Sequence, residues 1–138
     1  MTTTTSLTES NIAAVTRLYE GYGRGDIAAV IADLADDVDW AAEAASDSAP
    51  WYGAFRGSAD VPRFFAAIGD NVDVHSFDIV AVVGNESDVF VAVEWSYTVK
   101  ATGRRTSMLM QHWYHFEDGR VVRFRGSEDS EQSARAFA

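Results

Sequence analysis

The apolar residues of this chain change their spacing at Asp73. Upstream they recur every three or four positions; from Asp73 to about residue 127 they alternate with polar ones. A period of 3.6 buries one stripe of a helix and a period of 2 buries one face of a strand, so the two halves are committed to different elements. Helices followed by a strand meander specify an α+β fold, with the helices packed on one face of a curved sheet.

The helical half divides into three segments. Ser6-Leu-Thr-Glu9 has the form of a capping box, and Ile12, Val15, Tyr19 and Tyr22 then share one face with Leu18 beside them. Gly21-Tyr-Gly-Arg-Gly25 ends that helix, and Asp26 caps a second one carrying Ile27, Val30, Ile31 and Leu34. A third starts at Ser58 or Asp60, since Pro62 is tolerated in a first turn, and would bury Val61, Phe64, Phe65 and Ile68. Between them, Val38–Ala41 reads as a short strand and residues 44–57 as a loop holding Trp51, Tyr52 and Phe55. The alternating half predicts strands over 74–83, 88–99, 105–116 and 120–127, with turns at 84–87, 101–104 and 117–119.

Composition removes several functions. With 138 residues the chain is one domain: a disordered lead-in over 1–9, the fold over 10–129 and a C-terminal tail over 130–138. It has no cysteine, which excludes disulfides, thiolate metal sites and a cysteine nucleophile and fits a cytoplasmic home. The start MTTTTSLTES lacks the basic and apolar regions of a signal peptide, and no apolar run reaches membrane-spanning length. A net charge of −10 repels phosphate backbones, so neither nucleic acid nor an anionic membrane is an expected partner.

Strand parity sorts the residues able to do chemistry. Trp95 and Tyr97 share a face with Val91 and Val93, opposite Glu94, and so look inward, either as plain core or as pocket lining. On the next strand His112, Tyr114 and Phe116 share one face, while Gln111, Trp113 and His115 share the other. His112 and His115 therefore cannot chelate one ion, and with only His75 besides, no metal site is expected. The hairpin at 117–119 has two registers. A three-residue loop with a Gly119 bulge sets Val122 and Phe124 beside Tyr114 and His112; a two-residue Asp-Gly turn would bring Arg123 and Arg125 there instead. The first unites an apolar face and is preferred. Gln111, Trp113 and His115, beside Arg123 and Arg125, then suit a homodimer interface on the outer sheet face.

The order of elements, with Gly25-Asp26, Leu34-Ala-Asp-Asp-Val-Asp-Trp40, Gly53-Ala-Phe-Arg-Gly57 and Phe116-Glu-Asp-Gly-Arg-Val-Val122, resembles the SnoaL-like proteins of the nuclear-transport-factor-2-like, ketosteroid-isomerase-like group. The resemblance runs from about Ser10 to Asp129. It implies a cone-shaped, curved antiparallel or mixed sheet wrapped around the N-terminal helices, with an apolar pocket at the open end. Members include isomerases, polyketide cyclases, dehydratases and non-catalytic binding modules, so the fold alone does not give the function.

By comparison with the isomerases, His112 falls where a hydrogen-bond donor meets the developing oxyanion. Their catalytic base would fall at Ala42, with Glu43 adjacent, and their oxyanion tyrosine near Leu18, with Tyr19 next to it and Tyr22 one turn on. The cyclases use a late carboxylate, for which Glu128 has the inward parity. The epoxide-hydrolase pattern of Arg and Asp two apart is absent around Met110-Gln-His112. The resemblance thus implies cofactor-independent acid–base chemistry, or binding alone, on a small apolar or aromatic carbonyl compound. Tyr19, Tyr22, Trp40, Trp51, Phe64, Trp95, Tyr97 and Tyr114 would shape the pocket, and Trp51 with Tyr52 would form a lid.

Overall fold

The computed structural model describes residues 6–138. Helix α1 spans Leu7–Gly23 and begins where the capping box places it: the Ser6 hydroxyl accepts from the Glu9 amide at 3.1 Å. Residues 7–9 of the expected lead-in are therefore helical, and residues 1–5 lie outside the described residues. Helix α2 covers only Ile27–Ile31, capped by Asp26 through the Ala29 amide. Leu34, expected on its buried face, instead opens strand β1, Leu34–Ala42, because its backbone pairs with Val121. Helix α3, Val61–Asn71, follows Asp60 with Pro62 in its first turn.

Three elements depart from the expected pattern. Strand β1 is nine residues rather than four, since Ala-Asp-Asp is poor strand material that two hydrogen-bonded neighbours nevertheless hold extended. The end of the expected loop, Gly53–Arg56, is strand β2 and pairs with β1. The expected tail folds as helix α4, Ser130–Phe137, capped by Asp129. The remaining strands are β3 Val72–Gly84, β4 Asp88–Val99, β5 Arg105–Glu117 and β6 Arg120–Ser127.

The six strands form one curved, unclosed sheet in the order β2-β1-β6-β5-β4-β3, parallel only between β1 and β6. Its concave face holds the core. Val89, Val91, Val93, Trp95, Tyr97 and Val99 of β4 are all buried, as alternation predicts, and meet Val15 and Leu18 of α1 and Phe64 and Ile68 of α3. A fully buried aromatic such as Trp40 or Phe124 contributes on the order of 2–3 kcal/mol by area.

The β5–β6 hairpin combines the two registers considered above. Glu117 pairs with Arg120 across a two-residue turn, Asp118-Gly119, both at positive φ (50° and 78°). That pairing alone would send the arginines inward. A bulge prevents it: Phe116 pairs with Val121 and His115 with Arg123, so Val122 is the extra residue. Phe124 consequently stays inside, as expected, but it faces Tyr114 where Val122 was expected, and His112 faces Gly126 rather than Phe124. Arg123 and Arg125 stay outside.

Candidate functional site

Between the concave face and helices α1 and α3 lies an apolar pocket. Tyr19 and Tyr22 enter from α1, Phe64 from α3, Trp40 from β1 and Trp95 from β4, with Trp51 closing one end. His112 and Tyr114 of β5 face Phe124 and Gly126 of β6, and Glu128 stands just beyond β6. The walls nearly meet. Free space is about 50 Å³ within an envelope of about 580 Å³ that includes the mouth, room for a few water molecules. A larger ligand enters only by parting side chains, and the half-buried rings of Tyr22, Phe65 and Phe77 are the ones least held by packing.

The hydrogen bonds around His112 favour one tautomer. The Tyr114 hydroxyl donates to the Tyr19 hydroxyl at 2.9 Å, which leaves the Tyr19 proton for Nδ1 of His112 at 2.7 Å. The remaining ring proton then sits on Nε2, which makes no hydrogen bond to the described residues and opens onto the pocket. Although a little of the imidazole surface is accessible, Tyr19, Phe77, Tyr114 and Phe124 surround it. Burial among these rings pushes its pKa down to about 4, so the ring is neutral at pH 7. The same burial pushes the Tyr19 and Tyr114 phenols up, keeping both protons in the chain. His112 is a neutral donor.

Glu128 is the pocket's carboxylate. Its Oε1 accepts from Trp51 Nε1 at 2.6 Å, and Oε2 accepts from the Tyr52 hydroxyl at 3.2 Å and from the Ser133 hydroxyl. Ser133 is fully buried on α4 and in turn accepts from Tyr97, whose phenol burial pushes up to about 12. Helix α4 thus positions the carboxylate. Glu128 lies two residues beyond Gly126, the partner of His112, about 7 Å along the strand direction. Gly126 keeps the space between them free: a Cβ there would meet the Phe124 ring at 3.3 Å and His112 Cδ2 at 3.5 Å.

Of the residues expected at the site, Tyr19, Tyr22, Trp40, Trp51, Phe64, Trp95, His112, Tyr114 and Glu128 line this pocket. Two do not. Glu43 points to solvent, its side chain 72% exposed, and pairs with Arg125 at 3.0 Å; it lies just past the end of β1, next to Ala42 of the pocket wall. Tyr97 lies behind the wall, packed on Trp51 and Trp95 and tied to Ser133. Trp51 closes its end of the pocket from inside: it is 1% exposed and gives its N–H to Glu128. Sequence reasoning missed Phe77, whose inward position follows from an extra residue at His75 that flips the parity of β3. It also missed Gly126 and Ser133, although Gln132 three residues after the Asp129 cap was a visible helix signal.

On the convex face Trp113 Nε1 and His115 Nδ1 both bond Asp88 Oδ1 at 2.9 Å. Burial opposes the charge on Asp88, but hydrogen bonds from Ser87, His115 and Trp113 outweigh it and hold the pKa low. Arg125 grips Asp39 with two nitrogens and holds that carboxyl low as well. Phe90, Leu109 and Val83 remain about half exposed on this side.

The pattern of a SnoaL-like domain matches residues 15–124. The chain belongs to the SnoaL-like family. Solved structures that share the SnoaL-like fold include a nuclear-transport-factor-2-like protein of unknown function from Burkholderia pseudomallei (23% identity, TM-score 0.84, covering 94% of this chain and 98% of that one). A provisionally named polyketide cyclase from Xanthomonas campestris aligns at 17% identity and TM-score 0.76 over 96% and 100% of the two chains. TerC, crystallised with polyporic acid, aligns at 18% identity and TM-score 0.82 over 93% and 98%. No curated protein matches the SnoaL-like chain. Among its described residues, no helix is long and apolar enough to cross a membrane.

Proposed function

We propose that this SnoaL-like protein is a cofactor-independent acid–base enzyme acting on a small apolar compound with a carbonyl group, in isomerase, cyclase or dehydratase chemistry. One observation carries the reading: the Tyr114–Tyr19 chain commits Nδ1 of His112, so a neutral Nε2–H faces the same pocket as the Glu128 carboxylate. The substrate carbonyl accepts from Nε2, which stabilises charge as it develops on oxygen. Glu128 takes the proton from the adjacent carbon and returns it elsewhere on the substrate. The aromatic walls exclude water, which strengthens both interactions.

The test is turnover of a panel of cyclic ketones and enones by the native chain and by His112→Ala. The variant is expected to lose about 100-fold in kcat with little change in KM, the usual effect of removing one oxyanion donor. Equal turnover by both would refute the assignment. A binding-only role has one observation in its favour: Glu128 already accepts three hydrogen bonds, which occupy the oxygens a base would use. That reading takes over if no panel member turns over and His112→Ala changes affinity alone.

We also infer that the convex face pairs with a second copy. Phe90, Leu109 and Val83 supply its exposed apolar area. Asp88, His115 and Arg123 lie in one row across β4, β5 and β6. A two-fold axis along β5 would therefore stack Arg123 of one copy over Asp88 of the other. Light scattering should give twice the chain mass, falling to one for Leu109→Glu; a monomeric native chain overturns the inference.

A further inference from the structure

Two obstacles stand between Glu128 and a substrate, and both trace to one small helix. All three hydrogen bonds to the carboxylate come from outside the sheet: Trp51 and Tyr52 lie in the loop before β2, and Ser133 lies on α4. Free space in the hollow is about 50 Å³, against roughly 300 Å³ or more in a typical ligand pocket, and Trp51 fills one end of it. Parting Tyr22, Phe65 and Phe77 leaves that end filled, because the rings against Trp51 are those of Tyr52, Trp95, Tyr97 and Phe137. Phe137, like Ser133, belongs to α4.

Helix α4 is held mostly by polar contacts. Of its eight residues only Ser133 and Ala136 are buried, and the Phe137 ring is half-buried. The rest of the attachment is hydrogen bonds. Thr102 donates to the Ala136 carbonyl at 2.6 Å, and Arg104 to the backbone oxygens of Arg135 and Ala138 at 3.0 and 2.6 Å. Thr106 donates to Gln132 at 2.9 Å, and the hydroxyls of Tyr97 and Ser133 meet at 2.7 Å. Water replaces bonds of this kind at small net cost. A helix this short does not persist without its packing, so α4 leaves the sheet as a unit. Its departure takes the Ser133 hydroxyl from Glu128 and the Phe137 ring from Trp51 in one step. We infer, building on the acid–base reading of this pocket, that α4 is a latch: closed, it holds Ser133 on the carboxylate and Trp51 in the space beside it, and a ligand takes both places as α4 lifts and the indole swings out. Ser133 is a positioning residue for the closed state. The latch keeps Glu128 occupied until the hollow is filled.

The test uses the full chain and N-phenyl-1-naphthylamine, an uncharged fluorescent probe that brightens in apolar surroundings. Backbone hydrogen exchange is followed with and without it. A ligand that only fills a site slows exchange around itself. Here the probe should slow exchange in β5 and β6 yet speed it about tenfold across 130–137. A closed state that must open before binding lowers the apparent affinity by the fraction that is open. Ser133→Ala removes bonds made only in the closed state, so it should tighten probe binding about tenfold. A Ser133 that merely supports the site would give the opposite sign, and weaker binding by the variant overturns the latch. If the probe binds while the α4 amides stay as they were or become protected, the latch is likewise overturned, and the acid–base reading stands on its own turnover test. If the probe brightens with neither chain, the hollow takes up no ring-bearing ligand and both fall. Exchange in the native chain decides the matter even if Ser133→Ala folds poorly.

Discussion

Burying His112 as a neutral imidazole couples stability to pH. In the unfolded chain its pKa is near 6.5, and in the fold burial lowers it to about 4. Between these values the unfolded chain binds a proton that the folded one does not, so protons favour unfolding. Stability from this group is full above about pH 6.5 and is lost as pH falls towards 4. A gap of this size is worth about 2 kcal/mol between pH 7 and pH 5 and about 3 kcal/mol by pH 4. Asp39 and Asp88 have lowered pKa values, so what they contribute persists above the unfolded value of 3.8 and fades only below it. The two windows are separate. Urea unfolding of the native chain and of His112→Gln at pH 7, 6 and 5 isolates the effect, because glutamine still accepts from Tyr19 and other groups cancel in the difference. The native chain should lose about 2 kcal/mol more than the variant over that range, or about 6 °C in Tm. Parallel curves would show that the ring reaches water or holds its proton in the fold, and the neutral-donor argument would fail.

Three further outcomes follow from the same geometry. Tyr19→Phe leaves the Tyr114 hydroxyl and Nδ1 of His112 unpaired; it should cost about 1–3 kcal/mol, and imidazole nitrogen spectra should change from one tautomer to a mixture. Gly126→Ala places a methyl against Phe124 and His112, so ligand affinity measured by calorimetry should fall about tenfold while stability changes by less than about 2 kcal/mol. Glu128→Gln replaces two anionic acceptors with one neutral one for Trp51, Tyr52 and Ser133. It should destabilise the fold by about 1–3 kcal/mol, with amides of α4 gaining hydrogen exchange before those of the sheet.

Much of the site was legible because strand parity is a local property. His112, Tyr114 and Trp95 point inward for the same reason that Gln111 and Trp113 point outward, and no tertiary knowledge is needed to see it. Parity failed where a bulge intervened. Phe77 was hidden by the extra residue at His75, and the hairpin needed both a two-residue turn and the unpaired Val122 to keep Phe124 inside. Glu43 was proposed only because it neighbours the position of the missing base, and just past the end of β1 it turns out to Arg125 instead.

By itself, then, the order of periods determined an α+β fold, the face of each strand free of bulges and the aromatic character of the hollow, since each depends on residues a few positions apart. Only the tertiary structure decided which inward residue became donor, acceptor or wall. Tyr19 lies 93 residues from His112, and Trp51 lies 77 from Glu128. Hydrogen bonds between such distant positions are formed by the packing of α1, the 44–52 loop and α4 against the sheet, and no local pattern encodes them.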